Sequence, residues 1–463
     1  MTALTAKIDQ VEHAFPLEVS GTVAQVRGLA VHVADLAVPV GATVHFLSTH
    51  GEEQTTGQVV GFSDCETIVM PMCTTGGIRR GDRVAVWRTA QTVPVCDGML
   101  GRVVDAQGTP IDGRGTLHGA MMRPLLPPPV DPLTRMPIDT PLATGVRAID
   151  ALVSVGRGQR LGVFAAPGVG KSVLLGQMAR HTAAEVNVIT LVGERGREVR
   201  DFVDKQMDAE VLGRSVIVCA TSDEPPLTRL RAAMAGITIA EYFREVGRDV
   251  LLIMDSLTRV CHAQRQIGLS AGEPPTTKGY PPSVFALIPQ LLERAGRTQE
   301  GSITGFYSVL TEGEDLDDPI ADAARGVLDG HVLLRQKLAH RGHWPAIDVV
   351  ESISRVFHDV TEPAHQAARA EVVRLVHLYE QVEELLSVGA YAHGSHLDFD
   401  LAIACKPNID QLLQQGRSEA GGRADFGKTA RQLAALMEAV EAHRQQMGTD
   451  TRRTARATGP VAR

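Results

Sequence analysis

The sequence contains little of what several functional classes require. Aromatic residues make up 4% of its 463 positions, and only two tryptophans occur. The formal net charge is −8, so the chain as a whole lacks the positive charge that nucleic-acid binding requires. No apolar run approaches the roughly 18 residues of a membrane-spanning helix. The first residues lack the basic and apolar segments of a signal peptide, so we expect none.

Cysteine and histidine do not form recognisable ligand or disulfide patterns. The six cysteines are scattered without a CxxC pair, which is typical of reduced thiols in a cytosolic protein. The histidines at 331, 340 and 343 are close in sequence, but their spacing does not match a zinc site. We therefore expect no zinc site or disulfide framework.

A glycine-rich stretch lies between a short apolar run and a helical pattern. The stretch consists of Ala165, Ala166, Pro167, Gly168, Val169, Gly170, Lys171 and Ser172, and Val173 follows it. Glycines let successive backbone N–H groups converge on phosphates, and a helix N-terminus adds a positive dipole end. Lys171 is expected to reach the β- and γ-phosphates of a nucleotide, and the Ser172 hydroxyl to ligate Mg²⁺. Ala165 departs from the usual pattern, which begins with glycine; the alternative is a chance glycine-rich turn.

Two carboxylates follow apolar runs that we predict to be buried strands. Asp255 ends one run and is expected to hold Mg²⁺ opposite Ser172, through water. Glu194 ends another, and hydrolysis needs a base or a water-positioning group near the γ-phosphate. The alternative for Glu194 and its neighbour Arg195 is a solvated charged loop.

Two further side chains have an open choice of role. Arg355 lies at the end of the predicted nucleotide domain. It could stabilise transition-state charge in its own subunit or across an interface, or it could be an ordinary surface arginine. Trp344 precedes Pro345, which favours an extended turn. Its ring could stack on an adenine, or pack in a core or an interface.

Strand-like and helical runs divide the chain into three parts. Residues 1–90 combine a helical or disordered lead-in with short β-rich runs typical of a small barrel. Residues 91–360 contain a proline-rich connector, 123–141, and then alternating strands and helices, which predict a mainly parallel sheet. Residues 361–463 are predicted to form a helical domain with a basic, frayed tail.

The predicted elements are as follows. The barrel strands are 22–26, 29–33, 43–47, 58–62, 67–70 and 84–87, and the lead-in covers 1–16. The strands of the nucleotide domain are 162–165, 187–192, 215–220, 250–254, 303–309 and 331–334. The C-terminal helices begin near 362 and include 398–405, 409–415 and 430–446, and the frayed tail begins at 452.

The barrel is not suited to nucleic acid. Residues 1–90 hold six Lys or Arg against nine Asp or Glu, and four aromatic residues. Single-stranded nucleic acid is bound by basic grooves and aromatic stacking platforms, which need more Lys or Arg and more aromatic residues than this segment has. We therefore expect an assembly role for residues 1–90, and no direct nucleic-acid partner.

Taken together, these motifs resemble the ATPases of the flagellar and type III protein-export machinery, a family similar to the catalytic subunits of rotary ATP synthases. The resemblance extends from about residue 20 to about residue 415. The segments that carry it are 144–150, 156–160, 165–172, 193–200, 254–259, 272–285, 345–348 and 354–355. Residues 27–29, 389–391 and 394–395 look more like the flagellar than the virulence branch.

The resemblance implies a role for each candidate. Lys171 and Ser172 match the phosphate and Mg²⁺ ligands, Glu194 the catalytic carboxylate, and Asp255 the Walker B aspartate. Arg195 matches an arginine beside the γ-phosphate, and Arg355 the arginine finger given to the neighbouring subunit. Trp344 falls where rotary catalytic subunits place a tyrosine against adenine, so it keeps the aromatic face and loses the hydroxyl.

The resemblance also implies an architecture and partners. It predicts an α/β fold with a RecA-like P-loop ATPase core, an N-terminal small β-barrel and a C-terminal helical domain, assembled as a homohexameric ring that uses ATP and Mg²⁺. The expected setting is cytoplasmic, at the inner-membrane face of the export gate, with stator and stalk-like export proteins and chaperone–cargo complexes.

Three other functions share parts of this pattern. A non-catalytic nucleotide-binding ring subunit would usually lack the carboxylate at Glu194. A hexameric RNA translocase of the termination-factor type would need a more basic and aromatic barrel. A proton-driven synthase subunit has the same chemistry, so only the closeness of this chain's motifs to the export branch argues against it.

Overall fold

The computed structural model describes residues 19–48, 52–73, 75–311, 317–416 and 423–457; the lead-in predicted over residues 1–16 lies outside them. Six strands close into a barrel in the order β1-β2-β5-β4-β3-β6. They are β1 Ser20–Arg27, β2 Ala30–Ala34, β3 Thr43–Leu47, β4 Glu53–Ser63, β5 Glu66–Pro71 and β6 Arg83–Arg88. Closure pairs both edges of the sheet, and apolar side chains such as Val33, Val44 and Phe46 fill the interior.

The remaining strands belong mainly to one large sheet. They are β7 Thr92–Val95, β8 Arg102–Val104, β9 Met121–Pro124, β10 Pro141–Leu142, β11 Val155–Gly156, β12 Arg160–Ala165, β13 Val186–Glu194, β14 Ser215–Thr221, β15 Asp249–Asp255, β16 Gly296–Arg297, β17 Ser302–Leu310, β18 Gly330–Leu334 and β19 Ile347–Ser354. The large sheet has the order β19-β18-β12-β17-β15-β13-β14-β8, and β16 pairs with β17. All pairs from β18 to β8 along this path are parallel, as predicted.

Helices cover the sheet and form the C-terminal region. Those of the core are α1 Arg147–Leu152, α2 Lys171–His181, α3 Gly196–Gln206, α4 Ala209–Gly213, α5 Pro226–Glu245, α6 Leu257–Ser270, α7 Pro282–Leu292, α8 Pro319–Val327, α9 Gln336–His340 and α10 Phe357–Val360. The C-terminal helices are α11 Pro363–Ser387, α12 Leu397–Leu413 and α13 Phe426–Ala457. Among the helices of the described residues, none combines the length and the apolar composition that a membrane span requires.

The central strands explain where a site can form. In β12, β13, β15 and β17 nearly every residue is buried, because helices pack on both faces of a parallel sheet. The carboxyl ends of these four adjacent strands lie at one edge, where ligands of such sheets bind.

The structure differs from the sequence predictions at several elements. Strand β19, Ile347–Ser354, was not predicted and pairs antiparallel with β18. Strand β8 precedes the proline-rich connector and yet pairs with β14 at the edge of the large sheet; its three residues were too few for a strand pattern. The two helices predicted around residues 398–415 are one helix, α12, which contains Pro407. Helix α13, Phe426–Ala457, extends beyond both ends of the helix predicted over residues 430–446.

Candidate active site

The glycine-rich stretch forms the turn between β12 and α2. Ala165 ends the strand, and Lys171 begins the helix. Gly168 and Gly170 have φ values of +84° and +86°, a region that favours glycine because it has no Cβ. Residues 166–170 thus turn tightly in front of the helix N-terminus, which is the arrangement that binds phosphate groups.

Lys171 lies at the centre of a polar cluster. Its Nζ donates a 2.5 Å hydrogen bond to Asp255 Oδ1 and lies 3.9 Å from Glu194 Oε1. Ser308 Oγ, from β17, donates to the same Asp255 oxygen at 2.6 Å. The structure therefore brings three of the predicted residues together at the carboxyl edge. Sequence reasoning missed Ser308, which lies inside a buried strand that also contains Ser302 and Thr304.

Glu194 has an unusual environment for a carboxylate. Its side chain is 17% exposed, and burial raises its pKa to about 7, assisted by the negative charge of Asp255 and opposed by Lys171. Glu198 raises the pKa further through a hydrogen bond and its charge. A carboxylate with a pKa near the operating pH is suited to accept a proton.

This environment predicts the pH dependence of ATP turnover. Below about pH 7, Glu194 becomes protonated and cannot act as a base, so kcat/KM is expected to fall on the acid side. Glu198→Gln removes a negative neighbour, which favours the charged form of Glu194, lowers its pKa and moves the acid limb to lower pH. Because ATP itself titrates identically with both proteins, the difference between their profiles isolates Glu194. Superimposable profiles would contradict this assignment.

A cavity of about 310 Å³ lies beside the phosphate-binding turn. Its lining includes Gly168, Val169, Gly170 and Val173 of the turn and helix, and Trp344. A Cβ at Gly170 would lie 2.8 Å from Trp344 Cζ3, so the indole lies directly against the turn. Trp344 is 42% exposed, which leaves part of its ring surface open to a ligand. Ala166 is buried in the turn, and Pro167 is exposed.

The C-terminal region supplies a wall of this cavity that sequence reasoning missed. Gln415 and Gly416, which follow α12, line it. Gln415 is buried, and its backbone N–H donates to the Trp344 carbonyl oxygen at 2.8 Å. Its side chain donates to the Gly145 carbonyl oxygen and accepts from the Arg147 N–H. Sequence reasoning missed Gln415 because its contacts are with residues far away in the sequence, and no local motif indicates them.

The structure does not bring Arg195 into the cluster. Arg195 is the residue before α3, and its side chain is 81% exposed. Its Nη1 lies 3.3 Å from Glu198 Oε1, one turn along the helix. The guanidinium therefore lies on the surface beside the cluster.

Arg355 lies at the opposite end of the sheet. The Arg355 backbone N–H donates to the Asp329 carbonyl oxygen. The Asp329 backbone N–H in turn donates to the carbonyl oxygen of Arg160, the first residue of β12. The phosphate-binding turn follows the other end of β12, roughly 17 Å away for six extended residues. Arg355 is exposed, and its Nη2 donates a long bond, 3.4 Å, to the Arg325 carbonyl oxygen. It is therefore positioned away from the cluster of its own chain.

The residues present fit a magnesium ion by their chemistry. Mg²⁺ prefers oxygen ligands and is usually held by one or two carboxylates together with substrate phosphates and water. Asp255 supplies a carboxylate, and Ser172, exposed in the first turn of α2, supplies a hydroxyl. In the part of the chain that the structure describes, no cluster of three or more His, Cys, Asp or Glu could hold a metal.

Comparisons with known proteins decide the family. Residues 145–354 match the nucleotide-binding domain of the ATP synthase alpha/beta family, and residues 361–435 match the T3SS EscN ATPase C-terminal domain. The flagellum-specific ATP synthase of Pseudomonas aeruginosa is 47% identical over 92% of this chain and 94% of that protein. The chain is an ATPase of the flagellar and type III protein-secretion family.

This ATPase is also similar to secretion-system members of the family. It is 47% identical to the type 3 secretion system ATPase of Xanthomonas euvesicatoria over 85% of this chain and 89% of that protein. It resembles the assembled ATPase EscN of enteropathogenic E. coli, solved in complex with its central stalk EscO. The TM-score is 0.82 and the identity 38%, over 90% of this chain and 99% of that chain. The predicted resemblance and fold class are confirmed.

Proposed function

We propose that this ATPase hydrolyses Mg²⁺-ATP in a homohexameric ring and energises the export of proteins through a flagellar type III apparatus. The observation that carries the proposal is the arrangement of Lys171, Glu194 and Asp255 at one edge of the sheet, with Arg355 at the other. Because the cluster and Arg355 lie at opposite ends of the sheet, one chain cannot bring them together. A complete site then needs the cluster of one chain and the arginine of another.

Each residue of the cluster has a proposed role. Lys171 and the backbone of residues 166–170 bind the phosphates of ATP. Bound Mg²⁺, held by Ser172 and Asp255, would neutralise charge on the β- and γ-phosphates. When ATP binds, Lys171 exchanges its bond to Asp255 for the phosphates. Glu194 then accepts a proton from the attacking water, and Arg195 approaches the γ-phosphate from the surface.

Arg355 is proposed to complete the site of the neighbouring subunit. Heterologous contacts between identical chains generate a closed ring when the rotation closes, and each site then receives an arginine from next door. The similarity to an assembled ATPase supports the ring. We propose residues 1–90 as the assembly domain, 91–360 as the catalytic core and 361–463 as the helical domain.

The flagellar assignment and the partners are part of the proposal. Flagellum-specific names predominate among the similar curated relatives, which favours flagellar over virulence export. The solved complex with a central stalk supports a stalk-like partner. Stator proteins, the export gate at the cytoplasmic face of the inner membrane, and chaperone–cargo complexes are the remaining proposed partners.

The concentration dependence of turnover tests the proposed ring. We expect Mg²⁺-ATP turnover per subunit to rise with protein concentration, because the site of a dilute monomer lacks the Arg355 side chain of a neighbouring subunit. The rise should coincide with the appearance of hexamers in light scattering. A constant turnover per subunit down to concentrations where only monomer is present would contradict the shared site.

Trp344 is proposed to stack on the adenine ring, and its variants separate stacking from packing. Trp344→Phe keeps an aromatic face and should leave the KM for ATP within a few-fold of the wild type. Trp344→Ala should raise KM by roughly 10-fold with little change in kcat, because it loses the apolar area that the ring buries as well as a stacking interaction of about 1 kcal/mol. If Trp344→Ala changed kcat and left KM unaltered, adenine stacking would be the wrong role.

A further inference from the structure

Another cavity, with two arginines in its lining, lies at the junction of the barrel and the core. Its volume is about 190 Å³, which is enough for a phosphate group. Its walls include Arg88, which ends β6, Thr92, which begins β7, and Arg231 of α5. None of these residues takes part in the proposed ATPase chemistry, so the cavity needs a separate explanation.

Arg231 is a partly buried cation with incomplete hydrogen bonding. Its Nη2 donates to the Thr92 carbonyl oxygen at 2.7 Å. Its Nε and Nη1 lie below the surface and have no hydrogen-bond partner among the described residues. Burial lowers the pKa of Arg231, yet a guanidinium remains charged in proteins. A desolvated charge with unmet donors is costly, so an anion placed nearby would be strongly favoured.

The charges around Arg231 leave this cation only partly balanced. Arg88 is a second cation, and its guanidinium lies 4.3 Å from the centre of the Trp87 ring. Asp105 is the acidic neighbour that acts on Arg231. One carboxylate oxygen of Asp105 already accepts from the backbone N–H groups of Gln107 and Thr109, at 2.8 Å and 2.9 Å. Two cations thus face one carboxylate, which is already engaged in a turn.

We propose that this cavity binds a phosphate group, either as free phosphate or as a small phosphate monoester, between Arg88 and Arg231. Arginine is suited to phosphate because its planar donors match two oxygens at once. Thr43 and Thr109 also line the cavity, and a threonine hydroxyl can donate to a phosphate oxygen. The bound anion would connect the barrel to α5 and so fasten the barrel to the core, independently of ATP hydrolysis.

Trp87 provides a local probe for this test. The chain has two tryptophans, so in Trp344→Phe the emission reports on Trp87, which also lines the cavity. We would titrate this variant with inorganic phosphate and, separately, with glycerol phosphate, at constant ionic strength set by chloride. We expect a saturable change with one or both, and the tighter ligand identifies the source of the phosphate group.

Substitutions made in the Trp344→Phe background decide where the anion binds. Arg231→Met and Arg88→Met should each weaken binding by roughly 10-fold or more, since charge-assisted bonds are lost. Arg229→Met is the matched control from the same helix: Arg229 also has a buried Nε without a partner, but its Nη2 donates to Gln266. It should bind phosphate as before. If Arg231→Met fails to fold, Arg88→Met decides, because Arg88 is exposed.

Three results would overturn the proposal. The first is the absence of a saturable change with either ligand. The second is an equal change in a separate titration with chloride alone, which would mean a general salt effect. The third is phosphate binding that persists unchanged in the Arg88 and Arg231 variants, which would place the anion elsewhere, such as in the phosphate-binding turn. A rise in Tm with phosphate that is lost in Arg88→Met would support the fastening role of the anion.

Discussion

Glu194→Gln is expected to bind ATP and to hydrolyse almost none of it. The amide has nearly the shape of the carboxylate, so the buried side chain can keep its place 3.9 Å from Lys171. It cannot accept a proton, and loss of a general base typically costs roughly 10²–10⁴ in rate. Equilibrium binding of ATP should therefore stay within a few-fold of the wild type, while single-turnover hydrolysis falls by that factor.

The neighbouring glutamate provides the control for this prediction. Glu198→Gln makes the same chemical change one helical turn further along, at a side chain that is 42% exposed. It should retain turnover at pH values above the acid limb. Hydrolysis by Glu194→Gln at the wild-type rate would remove the base assignment, and loss of ATP binding would mean that Glu194 has a binding role instead.

Arg355→Ala should abolish turnover without affecting the folded chain. The side chain is exposed and makes one long hydrogen bond, so its removal should leave the Tm almost unchanged. An arginine finger is worth roughly 10³–10⁵ in kcat, and we expect a loss of that size in the assembled ring. ATP binding measured at equilibrium should be much less affected, because Lys171 and the glycine-rich turn remain.

Arg248→Ala is the matched control for the finger. Arg248 lies beside the start of β15, at the same end of the sheet as Arg355, and it is 56% exposed and paired with Glu185. Its removal should leave turnover within a few-fold of the wild type. Arg355→Lys should recover little, since an ammonium does not reproduce the planar pair of donors. Full activity in Arg355→Ala would show that the site needs no such arginine.

The elements of the core were predictable because their local signals agree with the fold. The strands ending at Ala165, Glu194 and Asp255 are mainly apolar and nearly every residue in them is buried, which is typical of parallel strands covered on both faces. Since parallel strands align their carboxyl ends, the meeting of Lys171 with Asp255 follows from the pattern alone. The relation to Glu194 follows in the same way.

Other features depend on contacts that no local pattern shows. Ser308 bonds to Asp255 only because β17 lies between β12 and β15 in the sheet. Gln415 reaches the nucleotide cavity from the C-terminal region through bonds to residues about 270 positions earlier. The remote position of Arg355 follows from the antiparallel pairing of β18 with β19, whose direction the sequence does not specify.

Mixing two inactive variants is the most direct test of a site shared between subunits. A chain with Arg355→Ala retains Glu194, and a chain with Glu194→Gln retains Arg355. Where an Arg355→Ala chain receives the arginine of a neighbouring Glu194→Gln chain, one complete site forms. In randomly mixed rings at equal amounts, about a quarter of the sites should be complete if neighbours pair by chance in a closed ring. Turnover should therefore recover to about that fraction of the wild type. If the mixture stayed as inactive as its components at every ratio, although pull-down through a tag on one variant showed that mixed rings had formed, Arg355 would not act across the interface.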